Sequence, residues 1–134
     1  MSGHAIVARA RACLGVRFRP QGRNPACGLD CVGLVLVALG PVMGGHAVAR
    51  DYALSGSGLA AQAEAGLADA GGMQVAAGVP GDIVLFEPAK GQGHLAVLSE
   101  QGVIHAHLGL RRVVEAPFDR TWGVRSIWQF EGAD

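Results

Sequence analysis

A thiol at Cys31 and two imidazoles, at His94 and His105, are the groups in this 134-residue chain whose types and placement suit covalent chemistry. Cys31 follows Asp30 and opens an apolar run that continues from Val32 to Leu39. Asp30 is suited to cap that run as a helix, its carboxylate accepting from N–H groups two or three residues on. A thiol in a first helical turn meets unpaired N–H groups and the positive end of the helix dipole, which favour the thiolate. A packing cysteine is the ordinary alternative, since free Cys is among the most buried residue types. The histidines weigh against that alternative. His94 opens one strand-like run and His105 lies near the end of the next, with a turn at Gln101-Gly102 between them. Adjacent antiparallel strands would set the two rings side by side, and His107 shares a face with His105 by the period of two. A Cys–His pair with a third polar group to orient the base is the arrangement of a thiol nucleophile. Such thiols fall to roughly 3.5–7.5 from ~8.5 when paired with imidazolium at a helix start. Cys31, His94 and His105 fit the roles of nucleophile, base and orienting group in that order.

Metal binding competes for the same side chains. Cys27, Cys31, His94 and His105 make a Cys₂His₂ set, but a three-residue gap between the cysteines is less typical of zinc than two. The sequence has neither a His-Glu-x-x-His helix nor a phosphate-cradling glycine loop, so the expectation is chemistry with no metal and no cofactor. Cys13, Cys27 and Cys31 are an odd number and cannot complete a disulfide framework. His4 and His46 fall in terminal or loop sequence and are read as solvated.

The elements that must position these groups follow from periodicity. Ser2 to Leu14 reads as a helix with Ile6, Ala10, Cys13 and Leu14 on one face, ended by Gly15. Val16 to Gly28 has no period and reads as a loop delivering the chain to Cys31. The Cys31–Leu39 helix stops at Gly40-Pro41. Val42 to Gly56 is irregular and holds the only tyrosine, Tyr52. Ser57 is suited to cap a further helix, Gly58 to Ala70, closed by Gly71-Gly72. Strands are expected at Ile83–Phe86 after the Pro80-Gly81-Asp82 turn, at His94–Ser99 and at Val103–His107. Leu110 to Glu115 and Val124 to Phe130 could supply two more. Helices first and an antiparallel sheet afterwards is α+β segregation.

Composition bounds the function classes. The chain is 50% hydrophobic and 16% charged, with 21 glycines and a formal net charge of +0. That suits one globular domain over residues 1–134 and disfavours nucleic acid or an anionic membrane as partner. No apolar run reaches the length of a membrane span. The Arg-bearing first fifteen residues lack the pattern of a secretory signal, so the expectation is a product cytoplasmic as synthesised.

Four pieces in order resemble the NlpC-type cell-wall cysteine peptidases, which have a papain-like fold. They are Gly15-Val16-Arg17-Phe18-Arg19 with Gly22-Arg23-Asn24-Pro25; Leu29-Asp30-Cys31-Val32-Gly33-Leu34-Val35; Pro80 to Phe86; and His94-Leu95-Ala96-Val97 through Val103-Ile104-His105-Ala106. The resemblance implies Cys31 as nucleophile, His94 as general base and acid, His105 as its orienting partner, and substrate contacts by Asp30, Phe18, Arg19 and Arg23. It implies hydrolysis of peptidoglycan stem peptides, typically between γ-linked D-glutamate and a diamino acid, through a thioester, with the cell wall or periplasm as site of action. Two positions depart from the family pattern. Phe18 stands where many members have a tyrosine whose hydroxyl assists the oxyanion site, with Tyr52 the one candidate replacement, and Val32 stands where a serine is common. Phe-containing versions without a signal resemble phage-tail-associated peptidases, which implies phage-tail or particle proteins as partners. The same triad acting on another amide or thioester, or a non-catalytic binding module of this fold, are the alternatives these departures leave open.

Overall fold

The computed structural model describes residues 2–40, 58–119 and 121–130. Helix α1, Ser2–Arg11, leads into a loop crossed by two short strands, β1 (Arg23–Asn24) and β2 (Gly28–Leu29), and then into α2, Cys31–Leu39. Helix α3, Leu59–Asp69, precedes six strands: β3 (Met73–Val75), β4 (Ile83–Phe86), β5 (His94–Ser99), β6 (Gly102–His107), β7 (Arg112–Ala116) and β8 (Val124–Gln129). These six form one sheet in the order β3-β8-β4-β5-β6-β7, with antiparallel pairing throughout. The architecture is α+β, as the segregation of periods predicts.

Helix α2 is the buried centre, and its sequence explains why. Seven of its nine residues are buried, on every side of the helix, as expected of an uninterrupted apolar run. Leu34, Val35, Ala38 and Leu39 join Ile6, Val7 and Ala10 of α1 and Ile83, Leu85, Leu95, Val97 and Ile104 of the sheet in one core. Strand β4 is apolar on both faces because both are covered: Ile83 and Leu85 face the helices, while Val84 and Phe86 pack with Ala96 and Val103 on the far side. Arg9 closes the C-terminal end of α2 from the neighbouring helix, donating from Nε to the Ala38 carbonyl at 2.7 Å and from Nη2 to that of Leu39 at 3.3 Å. A cation there satisfies orphan carbonyls and meets the negative end of the helix. Helix α3 is fastened to β8: Ser126 Oγ donates to Glu64 at 2.8 Å, and Arg125 pairs with Glu64 at 3.0 Å.

Several expectations need correction. Helix α1 ends at Arg11, three residues early, and a turn carries the buried Cys13. The stretch read as a loop from Val16 to Gly28 carries β1, which folds back to pair with β2 at its C-terminal end, and its start lies along β7. Phe18 N–H donates to the Arg111 carbonyl at 2.8 Å and Val113 N–H to that of Val16 at 2.8 Å, which covers an otherwise open strand edge. Strand β3 was not expected, being three residues long with two of them exposed. Tyr52, His46 and Ser57 lie outside the described residues; Gly58 stands at the N-cap of α3. No helix among the described residues is long and apolar enough to cross a membrane.

Candidate active site

The N-terminus of α2 is fixed by one buried carboxylate. Asp30 is 0% exposed. Its Oδ1 accepts the Gly33 N–H at 2.8 Å, as an N-cap does, and the Arg23 guanidinium at 3.3 Å; its Oδ2 accepts the Gln21 N–H at 2.8 Å. Cap and loop are thus tied through one side chain. The approach is close: a Cβ on Gly33 would overlap the Gly22 carbonyl oxygen, so glycine at 33 lets the loop lie directly against the first turn.

That cap delivers Cys31 to the start of β5. The thiol is 3% exposed, and the backbone N–H groups of Leu95, Val32 and Cys31 itself are directed at its sulfur. Leu95 follows His94 in the chain, so α2 and β5 bring the thiol to the strand end that carries the imidazole. Burial nevertheless outweighs these donors and pushes the thiol up to about 11, with the Asp30 carboxylate adding in the same direction. The expectation of a resting thiolate is therefore overturned. A helix start lowers a thiol only where solvent or a cation supports the charge, and here the desolvation is almost complete.

The imidazoles are held neutral as well. His94 Nε2 and His105 Nδ1 are 2.7 Å apart, with the rings edge to face at 78°. Burial, then the neighbouring His105 and His107, lower His94 to about 3; burial, then His107, lower His105 to about 4. A single proton occupies the bond between the rings. With Nε2 of His94 engaged, Nδ1 is the nitrogen left to exchange a proton with a thiol, and it is free to accept only when Nε2–H donates to His105. His107 lies 5.3 Å from His105 between ring centroids, and its Nδ1 accepts the Leu110 N–H at 2.9 Å.

The structure therefore joins His94 to His105 by a hydrogen bond and sets Cys31 against Leu95, the residue after His94. Asp30 is closed to solvent behind the helix cap. Arg23 is tied to Asp30, and Arg19 is exposed, with its backbone N–H donating to the Leu29 carbonyl at 3.1 Å. Phe18 is half-buried against the core. Cys27 is exposed whereas Cys31 is buried, and both are free thiols; no group of three or more His, Cys, Asp or Glu among the described residues is placed to hold a metal.

One neighbour was not foreseen. Trp122, in the loop between β7 and β8, stands edge-on to His94 at 5.2 Å and to His105 at 5.9 Å, and its ring also meets Phe86 at 5.3 Å. Its only sequence signal is that it is one of two tryptophans in a chain with few aromatics.

No family model and no curated relative matches the sequence. Solved structures do. The NlpC/p60 domain of the peptidoglycan hydrolase SagA superposes with a TM-score of 0.62 at 19% identity, over 96% of this chain and 98% of that one. NlpC2 from Trichomonas vaginalis gives 0.68 at 19% identity, over 96% of this chain and 47% of that one. The peptidoglycan hydrolase RipB from Mycobacterium tuberculosis gives 0.64 at 22% identity, over 96% and 64%. The chain thus spans about half of NlpC2 and under two thirds of RipB. None of the three is described as a phage protein. The likeness is one of fold: a papain-like NlpC/p60 arrangement, with Cys31 at a helix start against a six-stranded antiparallel sheet bearing His94 and His105.

Proposed function

We propose that the chain is a thiol hydrolase of peptidoglycan stem peptides, acting at the cell wall. The observation that carries the reading is the 2.7 Å bond between His94 Nε2 and His105 Nδ1 beside a helix-start thiol at which backbone donors converge. The peptidoglycan hydrolases that share the fold supply the substrate class. In this reading His94 Nδ1 takes the proton of Cys31 as Sγ bonds to the scissile carbonyl carbon. The oxyanion that forms is met by the backbone N–H of Cys31. His94 then returns the proton to the departing amine and leaves a thioester. Water attacks that thioester with His94 again as base, which releases the carboxylate and restores the thiol. His105 keeps the base in the tautomer with Nδ1 open. Because thiol and imidazole both rest neutral, proton transfer accompanies attack, and substrate entry must open the cover over a cysteine that is 3% exposed. Release of soluble muropeptides from purified cell walls, lost in Cys31→Ala, tests this directly; release undiminished in Cys31→Ala sinks it.

A second reading keeps Cys31, His94 and His105 but gives them another amide or thioester. It is favoured by Phe18, which packs on the core and offers no hydroxyl, and by Val32 after the thiol. Turnover of a simple thioester without any attack on cell walls would select it.

A further inference from the structure

The formal net charge of +0 hides an uneven distribution of cations. Arg11 is paired with Glu100 and Glu115, Arg23 with Asp30, and Arg125 with Glu64 and Glu87, while Arg9 closes the end of α2. Arg17, Arg19, Arg111 and Arg112 are exposed, and none of the four has a carboxylate partner among the described residues.

Three of these four stand on one face. Arg17 is the cross-strand partner of Arg112, which is in turn the partner of His107. The bonds from Val113 N–H to the Val16 carbonyl and from Phe18 N–H to that of Arg111 flank the Arg17–Arg112 pair rather than join it. That is the non-hydrogen-bonded kind of antiparallel pair, in which opposed side chains stand closest. Arg19 lies on the same side: a Cβ on Gly28 would meet Arg19 Cβ at 2.6 Å and Arg17 Cγ at 3.4 Å. Val16 and Phe18, which alternate with them, turn to the core. His107, Arg112, Arg17 and Arg19 thus form a row that runs outward from the histidine strands.

Like charges directly opposite one another destabilise a sheet, and an anion held by both guanidinia would offset that repulsion. A single exposed ion pair is weak, so a row of three suits a ligand whose charges repeat. The planar guanidinium matches phosphate oxygens two at a time. The row carries no Phe, Tyr or Trp on which a nucleic-acid base could stack, since Phe18 faces the core. A membrane fits poorly as well. The turn before Arg112 holds Leu108, which lines a hollow with His94 and His105, so sinking that turn into lipid would cover the histidines.

We infer that Arg17, Arg19 and Arg112 form a basic shelf that docks a phosphodiester-linked polyol polymer of the cell wall and holds the protein there beside its substrate. The inference rests on the cell-wall reading for the source of the polymer, and its test reads binding rather than hydrolysis.

The probe is poly(glycerol phosphate), titrated calorimetrically into the whole protein. Affinity is expected to fall with salt at a log–log slope of about two, as three contacts with a flexible polyanion release counterions. Arg112→Gln should weaken binding severalfold and reduce that slope by about 0.7, whereas Lys90→Gln, which removes an exposed cation elsewhere, should leave both unchanged. Arg112→Glu sets a carboxylate opposite Arg17, so its urea midpoint should rise while polymer binding is lost, a combination that misfolding cannot produce. No binding at low salt, an equal effect of Lys90→Gln, or tighter binding to phosphatidylglycerol vesicles or single-stranded DNA would overturn the inference. Muropeptide release without polymer binding would remove the shelf and leave the hydrolase standing. Polymer binding without muropeptide release would keep the shelf and remove the hydrolase.

Discussion

His94 and His105 share one proton between Nε2 and Nδ1 at 2.7 Å, across neighbouring strands of the sheet. A proton on His94 Nε2 leaves Nδ1 open to accept from a thiol, whereas a proton on His105 Nδ1 reverses the bond and closes Nδ1, so the direction of this one bond decides whether His94 can act as a base.

If His105 acts only through His94, its chemistry is replaceable by any acceptor in the same place. His105→Ala is expected to lower kcat by about 10²–10⁴-fold with a smaller effect on KM, and His105→Asn to recover most of the loss because an amide oxygen can accept the Nε2–H. Steady-state kinetics of both variants check this. Equal losses in the two would show that His105 does more than orient.

Cys31 should alkylate as a buried thiol. With its value raised to about 11, its labelling by iodoacetamide should climb about tenfold per pH unit from pH 7 to 10, with no plateau near pH 6. The exposed Cys27 is the internal comparator and should label faster at pH 7. Peptide mass spectrometry separates the two. A Cys31 rate at pH 6 that matches or exceeds that of Cys27 would contradict the neutral resting pair.

Acid should destabilise the fold through the same imidazoles. His94 near 3 and His105 near 4 lie below their unperturbed value of 6.5. Between these limits the unfolded chain binds protons that the native chain does not, so stability rises with pH and is fully present above the unfolded value. Urea unfolding is expected to show free energy falling from pH 7 to pH 5, where native carboxylates still contribute little. A His94→Gln, His105→Gln double variant should show a flatter slope over that window. An unchanged slope would place the acid sensitivity elsewhere.

Asp30 is predicted to matter first for stability. Asp30→Ala removes the α2 cap together with one acceptor of the Gln21 N–H and one of the Arg23 guanidinium, at a cost of about 2–5 kcal/mol. Asp30→Asn keeps one oxygen for Gly33 and should cost less. Chemical denaturation of the two variants measures the difference; a loss under about 0.5 kcal/mol in Asp30→Ala would place it among ordinary surface substitutions and refute the tie.

The parts legible from residues alone were those with local signals. Helix α2 was expected from Cys31 to Leu39 and spans those residues, because Asp30 caps it and Gly40 ends an unbroken apolar run. Strands β4 and β5 likewise carry their own patterns, and the meeting of His94 with His105 follows from one hairpin. The order β3-β8-β4 has no local signature, since Met73–Val75 and Val124–Gln129 find each other across fifty residues of chain. The state of the thiol was misread for the same reason. The helix start is local, but the burial that raises Cys31 comes from α1 and the sheet as well. Trp122 reaches the histidines only after β7 and β8 have paired on opposite parts of the sheet.

Strand β8 has a consequence for how the molecule is made. It fills the gap between β3 and β4, so until Val124–Gln129 has been synthesised the sheet exists as two unconnected pieces. The hairpins β4–β5 and β6–β7 can form early from near neighbours, whereas the pairs made by β8 wait for that later strand and carry the entropy of a long loop. A nascent chain thus acquires its histidine pair before it acquires the wall that Trp122 builds beside them. The histidine pair and the Trp122 ring beside it therefore come together in two steps, the second of which waits for β8.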